Sequence, residues 1–445
     1  MVIGILTMVL FNAIDTYFVG RLGKNELSAL SFTFAPIIIL FTLVQGIGVG
    51  ATALIAKSIG ANDLKKAARE TTDSLVLGLI VAIIFSVLGF LVLEPLFKAM
   101  GATEQELPLI LEYMHIWLVA ICFVVIPFVG NSAIRATGDA WTPTKIMLFA
   151  VTVNAILDPL LIFGYGPFPE LGIRGAALAT AISRGLTLVL SVGVLYRREK
   201  LITLVIPAWK TLRGCWAAIL KIGVPAGLSR MIVPIANLMV YGILARLENP
   251  FVVAGYGVAT RIEMLITSVL FALASTMGPF VGQNFSQGNY GRILEANNKS
   301  NVFSIGWGVV MGLVLLVFSA NISGLFTPID GVVEVASLYL VIVPITVGFQ
   351  GVVQVVNTTL NTLNRSLMAS GIIAVQMFVF YLPLSYFGAE AYQEQGVFMG
   401  IAFSYFIGGI ISLVVVRSFL QKQREESLEA VPAKDLDSWE KRKTQ

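Results

Sequence analysis

Runs of about 20 apolar residues recur along this chain, and no other feature limits its fold so sharply. Twelve lie near residues 2–20, 28–55, 75–95, 109–133, 144–164, 174–196, 217–245, 252–282, 302–322, 334–360, 367–388 and 396–418. At 1.5 Å per residue such a run, folded as a helix, crosses the ~30 Å hydrocarbon core of a bilayer. Strands of a transmembrane barrel would read instead as short alternating stretches, so helices are expected throughout. With 57% of its 445 residues hydrophobic and 13% charged, the chain carries more apolar surface than one soluble core could bury. The expected fold class is an all-α polytopic membrane protein with twelve transmembrane helices.

Basic residues predict the orientation. The loops after even-numbered spans hold fourteen: Lys57, Lys65, Lys66, Arg69, Arg135, Lys145, Arg197, Arg198, Lys200, Lys210, Arg213, Arg292, Lys299 and Arg365. Odd loops hold five, Arg21, Lys24, Lys98, Arg174 and Arg246. By the positive-inside bias both termini are expected in the cytoplasm. These loops account for the net charge of +4 without any nucleic-acid partner. Two distant cysteines, Cys122 and Cys215, and one histidine, His115, imply neither a disulfide framework nor a His-based metal centre. No cleavable leader is expected at the start. The last 25 residues read as a polar cytoplasmic tail, helical at first and then disordered.

The second half echoes the first about 225 residues on. Asn62-Asp63 lies opposite Gly288-Asn289, Phe163-Gly164 opposite Phe387-Gly388, Asp158-Pro159 opposite Leu382-Pro383, and Arg21-Leu22 opposite Arg246-Leu247; Gly172 and Thr180 lie opposite Gly396 and Ser404. Two pseudo-symmetric six-helix bundles are therefore expected. An even number of spans per copy makes the repeat parallel, about an axis along the membrane normal. The expected division is an N-lobe at 1–198, an inter-lobe linker at 199–216, a C-lobe at 217–420 and a tail at 421–445.

Within these runs Asp15 and Asp158 stand out. A carboxylate at membrane depth costs about 3 kcal/mol or more, which makes it a candidate for an ion, proton or substrate path. Under the repeat, Val240 and Leu382 occupy the corresponding C-lobe places, so the scaffold does not need these acids and an ion site is expected in the N-lobe alone. Counting from the span ends puts both acids roughly 9 Å inside the outer face, with Thr180 at a similar depth. Asn154 precedes Asp158 by four residues and shares its helix face. Two carboxylates, an amide and a hydroxyl offer hard oxygen ligands suited to Na⁺ or shared protons. Pro159 is expected to disturb helical geometry at Asp158 and to free the carbonyl of Ala155.

Other polar residues read more plainly. Arg184 and Arg261 lie within spans, and Arg230 with Glu263 is expected to form a structural pair. Asn131, Gln350, Gln354, Asn357 and Gln376 line a cleft or join helices. Met8, Phe11 and Met147 offer adaptable surface or core packing. There is no GxxxxGK[ST], HExxH or GxSxG, so neither an ATP motor nor an enzyme is expected. Energy is expected from an ion gradient.

With these residues in hand, the chain resembles the multidrug and toxic compound extrusion (MATE) transporters over almost its whole length. AIDTYFVGRLG at 13–23, AKSIGANDLKKAA at 56–68, IRATGDAWTPTK at 134–145, NAILDPLLIFG at 154–164, GIRGAALATAISR at 172–184 and VGQNFSQG at 281–288 carry the likeness. It is similar to the DinF-like branch, which implies a cation- or proton-responsive site at Asp15, Asn154, Asp158 and Thr180. The resemblance also implies a substrate cavity with Asn131 and Met147, beside which Phe11 and Met8 lie on span one. The acids of the NorM-like branch fall at Val233 and Gly351, so no C-lobe ion site is implied. The early proline of DinF-like first spans falls before Met1, implying a shortened start or another way of bending. The implied function is an antiporter of the inner (plasma) membrane, working as a monomer without cofactor, that exports amphipathic, often cationic organic molecules as Na⁺ or H⁺ enters. A lipid-linked saccharide flippase is the alternative; its anionic headgroup would call for more cleft arginines than the sequence offers. A non-transporting sensor ranks below both.

Overall fold

In the computed structural model, residues 7, 11, 14–205 and 207–429 are described, and the chain is helical throughout them apart from its loops. Helix α1 is described over 14–20. There follow α2 (Lys24–Gly60), α3 (Leu64–Ala99), α4 (Glu106–Ala136), α5 (Trp141–Ile162), α6 (Ile173–Gly193) with a π-helical end at Val194–Arg198, α7 (Trp209–Leu244), α8 (Val252–Ser286), α9 (Tyr290–Gly324), α10 (Asp330–Ile342), α11 (Pro344–Thr362), α12 (Ser366–Ala374) with a π-helical run at Val375–Tyr381, and α13 (Leu382–Glu429). Among the described residues nine helices are long and apolar enough to cross a bilayer, ten when α10 and α11, bent by 57° at Pro344, count as one span. The tenth expected span is therefore broken, because Pro344 supplies no N–H to continue α10.

Helix α13 completes the pass that α12 begins and then makes a second. Tyr392 and Gln393 leave helical geometry, Gln393 at φ 52 and ψ −138, and the chain reverses there. Gly388 and Gly396 end backbone to backbone: a Cβ on Gly396 would sit 1.9 Å from the Gly388 carbonyl oxygen. Eight residues of continuous helix would hold them about 12 Å apart. Gly172, which opens α6, has nearly the same dihedrals, φ 55 and ψ −132. Helix starts repeat likewise: Lys24 with Val252, Leu64 with Tyr290, Glu106 with Asp330 and Trp141 with Ser366 stand 224 to 228 residues apart. So do turns, since Asp63 N–H donates to Ser58 O at 2.9 Å and Asn289 N–H to Asn284 O at 3.0 Å. The 6+6 repeat is thus carried by the backbone.

The described chain divides into two compact units, one reaching to Met231 and including Asn364–Leu367, the other comprising Ile232–Leu363 and the residues from Met368 on. Their border falls inside α7. The linker expected at 199–216 is shorter than that, because α7 already begins at Trp209. The first part of the tail continues α13 to Glu429; the rest lies outside the described residues.

Each unit packs through small residues and leaves an apolar outer stripe. A Cβ on Gly46 of α2 would stand 2.3 Å from the Gly223 carbonyl of α7, and one on Gly308 of α9 2.4 Å from Gly348 N of α11. Such close backbone approach is how helices associate where lipid removes the hydrophobic drive. On α3, Val87 and Leu91 are exposed, and at the matching places on α9 so are Leu313 and Val317. Stripes of this kind belong against lipid tails.

The start of α5 is fixed electrostatically. Asp139 Oδ1 accepts the N–H groups of Trp141 and Thr142, both at 2.9 Å, while Oδ2 accepts the Arg198 guanidinium at 2.7 Å. Burial works to raise this carboxyl, but the Thr142 hydroxyl and N–H, Arg198 and the Trp141 N–H outweigh it and hold it at about 2.

Candidate functional site

Helices α1, α5 and α6 bring four polar side chains together in the first unit. Gly175, early in α6, touches α5: a Cβ there would meet the Leu161 carbonyl at 2.3 Å. The connection between them is short and tied, Leu171 N–H donating to Leu161 O and Gly172 N–H to Ile162 O, each at 3.1 Å. This close seam sets Thr180, five residues further along, beside the end of α5.

Thr180 Oγ1 donates to Asp15 Oδ2 at 3.2 Å, joining α6 to α1. Asn154 Nδ2 donates to Asp158 Oδ1 at 3.2 Å within α5, the i, i+4 pairing that their spacing predicts. The Asp15 and Asp158 side chains are within direct reach of each other. Asn154 and Asp158 are wholly enclosed, and Asp15 is 8% exposed. Three oxygens remain buried without a partner: Asp15 Oδ1, Asn154 Oδ1 and Asp158 Oδ2. Orphaned buried acceptors cost about 1–3 kcal/mol each, a debt that a small cation or a proton would settle. Among the described residues no group of three or more His, Cys, Asp or Glu could hold a metal ion. Two carboxylates, an amide oxygen and a hydroxyl fit a hard monovalent ion.

Two further residues adjoin the acids. Arg184, one turn beyond Thr180 on α6, lies within electrostatic reach of Asp15, and its guanidinium stacks 4.1 Å over the Phe11 ring. Tyr113 of α4 is buried and feels both acids. The i, i+4 spacing of Thr180 and Arg184 was the available signal for Arg184; nothing in sequence pointed to Tyr113. With one guanidinium beside two carboxylates, a fully ionised cluster carries one excess negative charge.

The expected cavity residues are more scattered. Phe11 is buried under Arg184. Asn131 is buried on α4, its Oδ1 accepting from Ser191 Oγ of α6 at 3.2 Å. Met147 is half-buried on α5. Met8 lies outside the described residues. Asn357 donates to the Ala369 carbonyl at 3.1 Å and Gln376 to Gln350 Oε1 at 2.8 Å, so these join helices.

Two expectations fail. Asp158 stays helical, because α5 runs unbroken through Pro159 to Ile162. Proline still withholds an N–H from the Ala155 carbonyl, but neighbouring packing keeps the backbone regular. Arg230 and Glu263 are not paired: Arg230 Nη1 donates to Gln45 Oε1 at 2.9 Å, and Glu263 Oε2 and Oε1 accept from the hydroxyls of Tyr339 and Tyr405. In the second unit a cavity of about 680 Å³ is lined by Arg246, Tyr386, Phe387 and aliphatic side chains of α7 and α13.

Comparison with known proteins gives a consistent answer. The profile of the family described as MatE matches residues 1–160 and 225–387. An FAD transporter of Shewanella oneidensis is 34% identical over 408 residues, covering 92% of this chain and 90% of the relative. The multidrug export protein MepA of Staphylococcus aureus is 29% identical over 342 residues, 76% of this chain and 74% of the relative. The crystal structure of the Vibrio cholerae MATE transporter VcmN in the bent form superposes with a TM-score of 0.90 at 27% identity, covering 95% of each chain.

Proposed function

The chain belongs to the MatE family of membrane transporters, and we propose that it is a DinF-like antiporter exporting organic molecules as Na⁺ or H⁺ enters. It is a transporter, not an enzyme. The observation that carries the coupling is the trio of orphaned oxygens, Asp15 Oδ1, Asn154 Oδ1 and Asp158 Oδ2, around one excess negative charge. A proton or Na⁺ between Asp15 and Asp158 cancels that charge and draws α1 toward α5; its departure leaves two carboxylates facing each other across the same gap. The ion therefore stabilises one arrangement of α1 more than another, which is what coupling requires. Val233 and Gly351, at the places of the NorM-like acids, support the branch. The basic loops support cytoplasmic termini, and the coupling unit is complete within one chain, which favours a monomer.

Amphipathic, often cationic organic compounds are the first substrate class, and the likeness to a multidrug export protein, MepA, supports drug-like cargo. A flavin dinucleotide is the second reading, favoured by the 34% identity to an FAD transporter over 92% of the chain. Arg246 beside Tyr386 and Phe387 offers a cation and two aromatic faces to an anion with aromatic ends.

Purified protein in proteoliposomes, given either a fluorescent organic cation or FAD under separate Na⁺ and H⁺ gradients, tests both parts. Gradient-driven movement that Asp158→Asn abolishes, with the variant still folded, is the expected result. Transport that survives in Asp158→Asn sinks the coupling site, and movement of neither substrate sinks the exporter reading.

A further inference from the structure

The C-lobe contains a buried acid that the repeat did not foretell. Glu263 lies about a third of the way along α8, 8% exposed, and its carboxylate meets no cation: among the described residues its side chain is held by two tyrosine hydroxyls alone. Tyr339 of α10 donates to Oε2, and Tyr405 of the second pass of α13 donates to Oε1 at 3.2 Å. By contrast Asp73, buried in the early turns of α3, is paired with Arg69. Counting back 226 residues, Ile37 stands where Glu263 would be, so the six-helix scaffold closes without an acid here.

A second pair of tyrosines surrounds the first. Tyr381 donates to Asn237 Oδ1 of α7 at 2.8 Å, and its hydroxyl lies 3.3 Å from that of Tyr256, two turns before Glu263 on α8. Each phenol has one proton. Tyr381 has given its proton to Asn237, so Tyr256 is the donor to Tyr381. The rings interlock, Tyr256 against Tyr339 at 5.5 Å and Tyr381 against Tyr405 at 6.2 Å between centroids, with Tyr241 of α7 against Tyr256 at 4.7 Å. The groups facing Glu263 are thus Tyr339 from α10, Tyr405 from α13, and Tyr256 and Tyr381 behind them. Arg261, two positions earlier on α8, is exposed on another face.

We propose that Glu263 is a second proton-binding site, loaded and emptied during transport independently of Asp15 and Asp158. With Glu263 ionised, both tyrosines donate to it, and α8 is tied to α10 and α13 by two charge-assisted bonds. A proton arriving on either oxygen forms one O–H bond and turns that oxygen into a donor. The facing tyrosine must then accept, and its own proton must turn away, with no electron transfer; the one covalent bond broken is the O–H bond of the water-borne donor that delivers the proton. One tie is weakened in the same step. Because α10 is the arm bent 57° from α11, this changes the hold on the most sharply broken span of the C-lobe.

Infrared difference spectra of the full-length protein in lipid, recorded between about pH 5 and 9, test this directly. A protonated-carboxyl band that fades as pH rises should be missing in Glu263→Gln and present in Asp158→Asn, which separates this site from the N-lobe acids. In proteoliposomes Glu263→Gln should slow proton-driven transport about tenfold. Tyr405→Phe, which keeps the acid, should shift the midpoint of the band, and it serves alone if Glu263→Gln does not fold. A band unchanged in Glu263→Gln, or a midpoint unmoved in Tyr405→Phe, overturns the proposal.

Discussion

The two halves bury their acids by opposite means. In the N-lobe Asp15 and Asp158 face each other across α1 and α5, with unsatisfied oxygens and a guanidinium nearby. In the C-lobe Glu263 stands alone, and hydroxyls from two helices satisfy both its oxygens. Where one half has acids, the other has Val240 and Leu382, or Ile37. The scaffold is shared and the chemistry is not. A duplicated bundle tolerates an ionisable group at either place, provided the surrounding helices supply a countercharge, an exchangeable ion or hydroxyl donors.

The contrast can be broken most severely at Asp158. Asp158→Asn removes the charge on which coupling depends, and gradient-driven transport in proteoliposomes should fall about a hundredfold or more. If it falls no further than in Glu263→Gln, the two centres are equivalent and the contrast is wrong. Writing the N-lobe acid into the other half is the converse. Val240→Asp adds a carboxylate at a wholly enclosed place without its N-lobe partners and should cost about 3 kcal/mol, read as a lower midpoint in thermal unfolding. Tyr405→Phe removes one of the two donors to Glu263 and should cost about 2 kcal/mol if the carboxylate is charged, and less if it is protonated.

The smallest effect concerns Asp139, outside both centres. Asp139→Ala removes the acceptor for two free N–H groups of α5 and should cost about 1 kcal/mol. The folded value of about 2 lies below the ordinary carboxylate value, so the stabilisation is complete above about pH 4 and is lost as pH falls toward 2. Thermal midpoints of wild type and Asp139→Ala should therefore converge over that window, while Tyr405→Phe should remain separated from wild type.

Much of this was legible in the chain. Apolar runs marked the helices, and α2 and α3 outgrow their runs because polar end turns remain helical when capped, as Asp63 caps α3 by accepting Lys66 N–H at 2.9 Å. Asn154 and Asp158 were related by one helical turn, and depth alone suggested Thr180. Glu263 was misread because its partners, Tyr339 and Tyr405, are 76 and 142 residues away and buried tyrosines look like ordinary core. The expected distortion at Asp158-Pro159 failed because a proline removes a donor without compelling a packed helix to unwind.

The matched outer stripes of α3 and α9 have a practical meaning for handling the protein. Val87 and Leu91 in one half, and Leu313 and Val317 in the other, have no water-tolerant state at mid-depth. Solubility here is a property of whatever annulus surrounds the chain. Stripping that annulus should leave an adhesive apolar stripe on each unit, so detergent loss should end in aggregation.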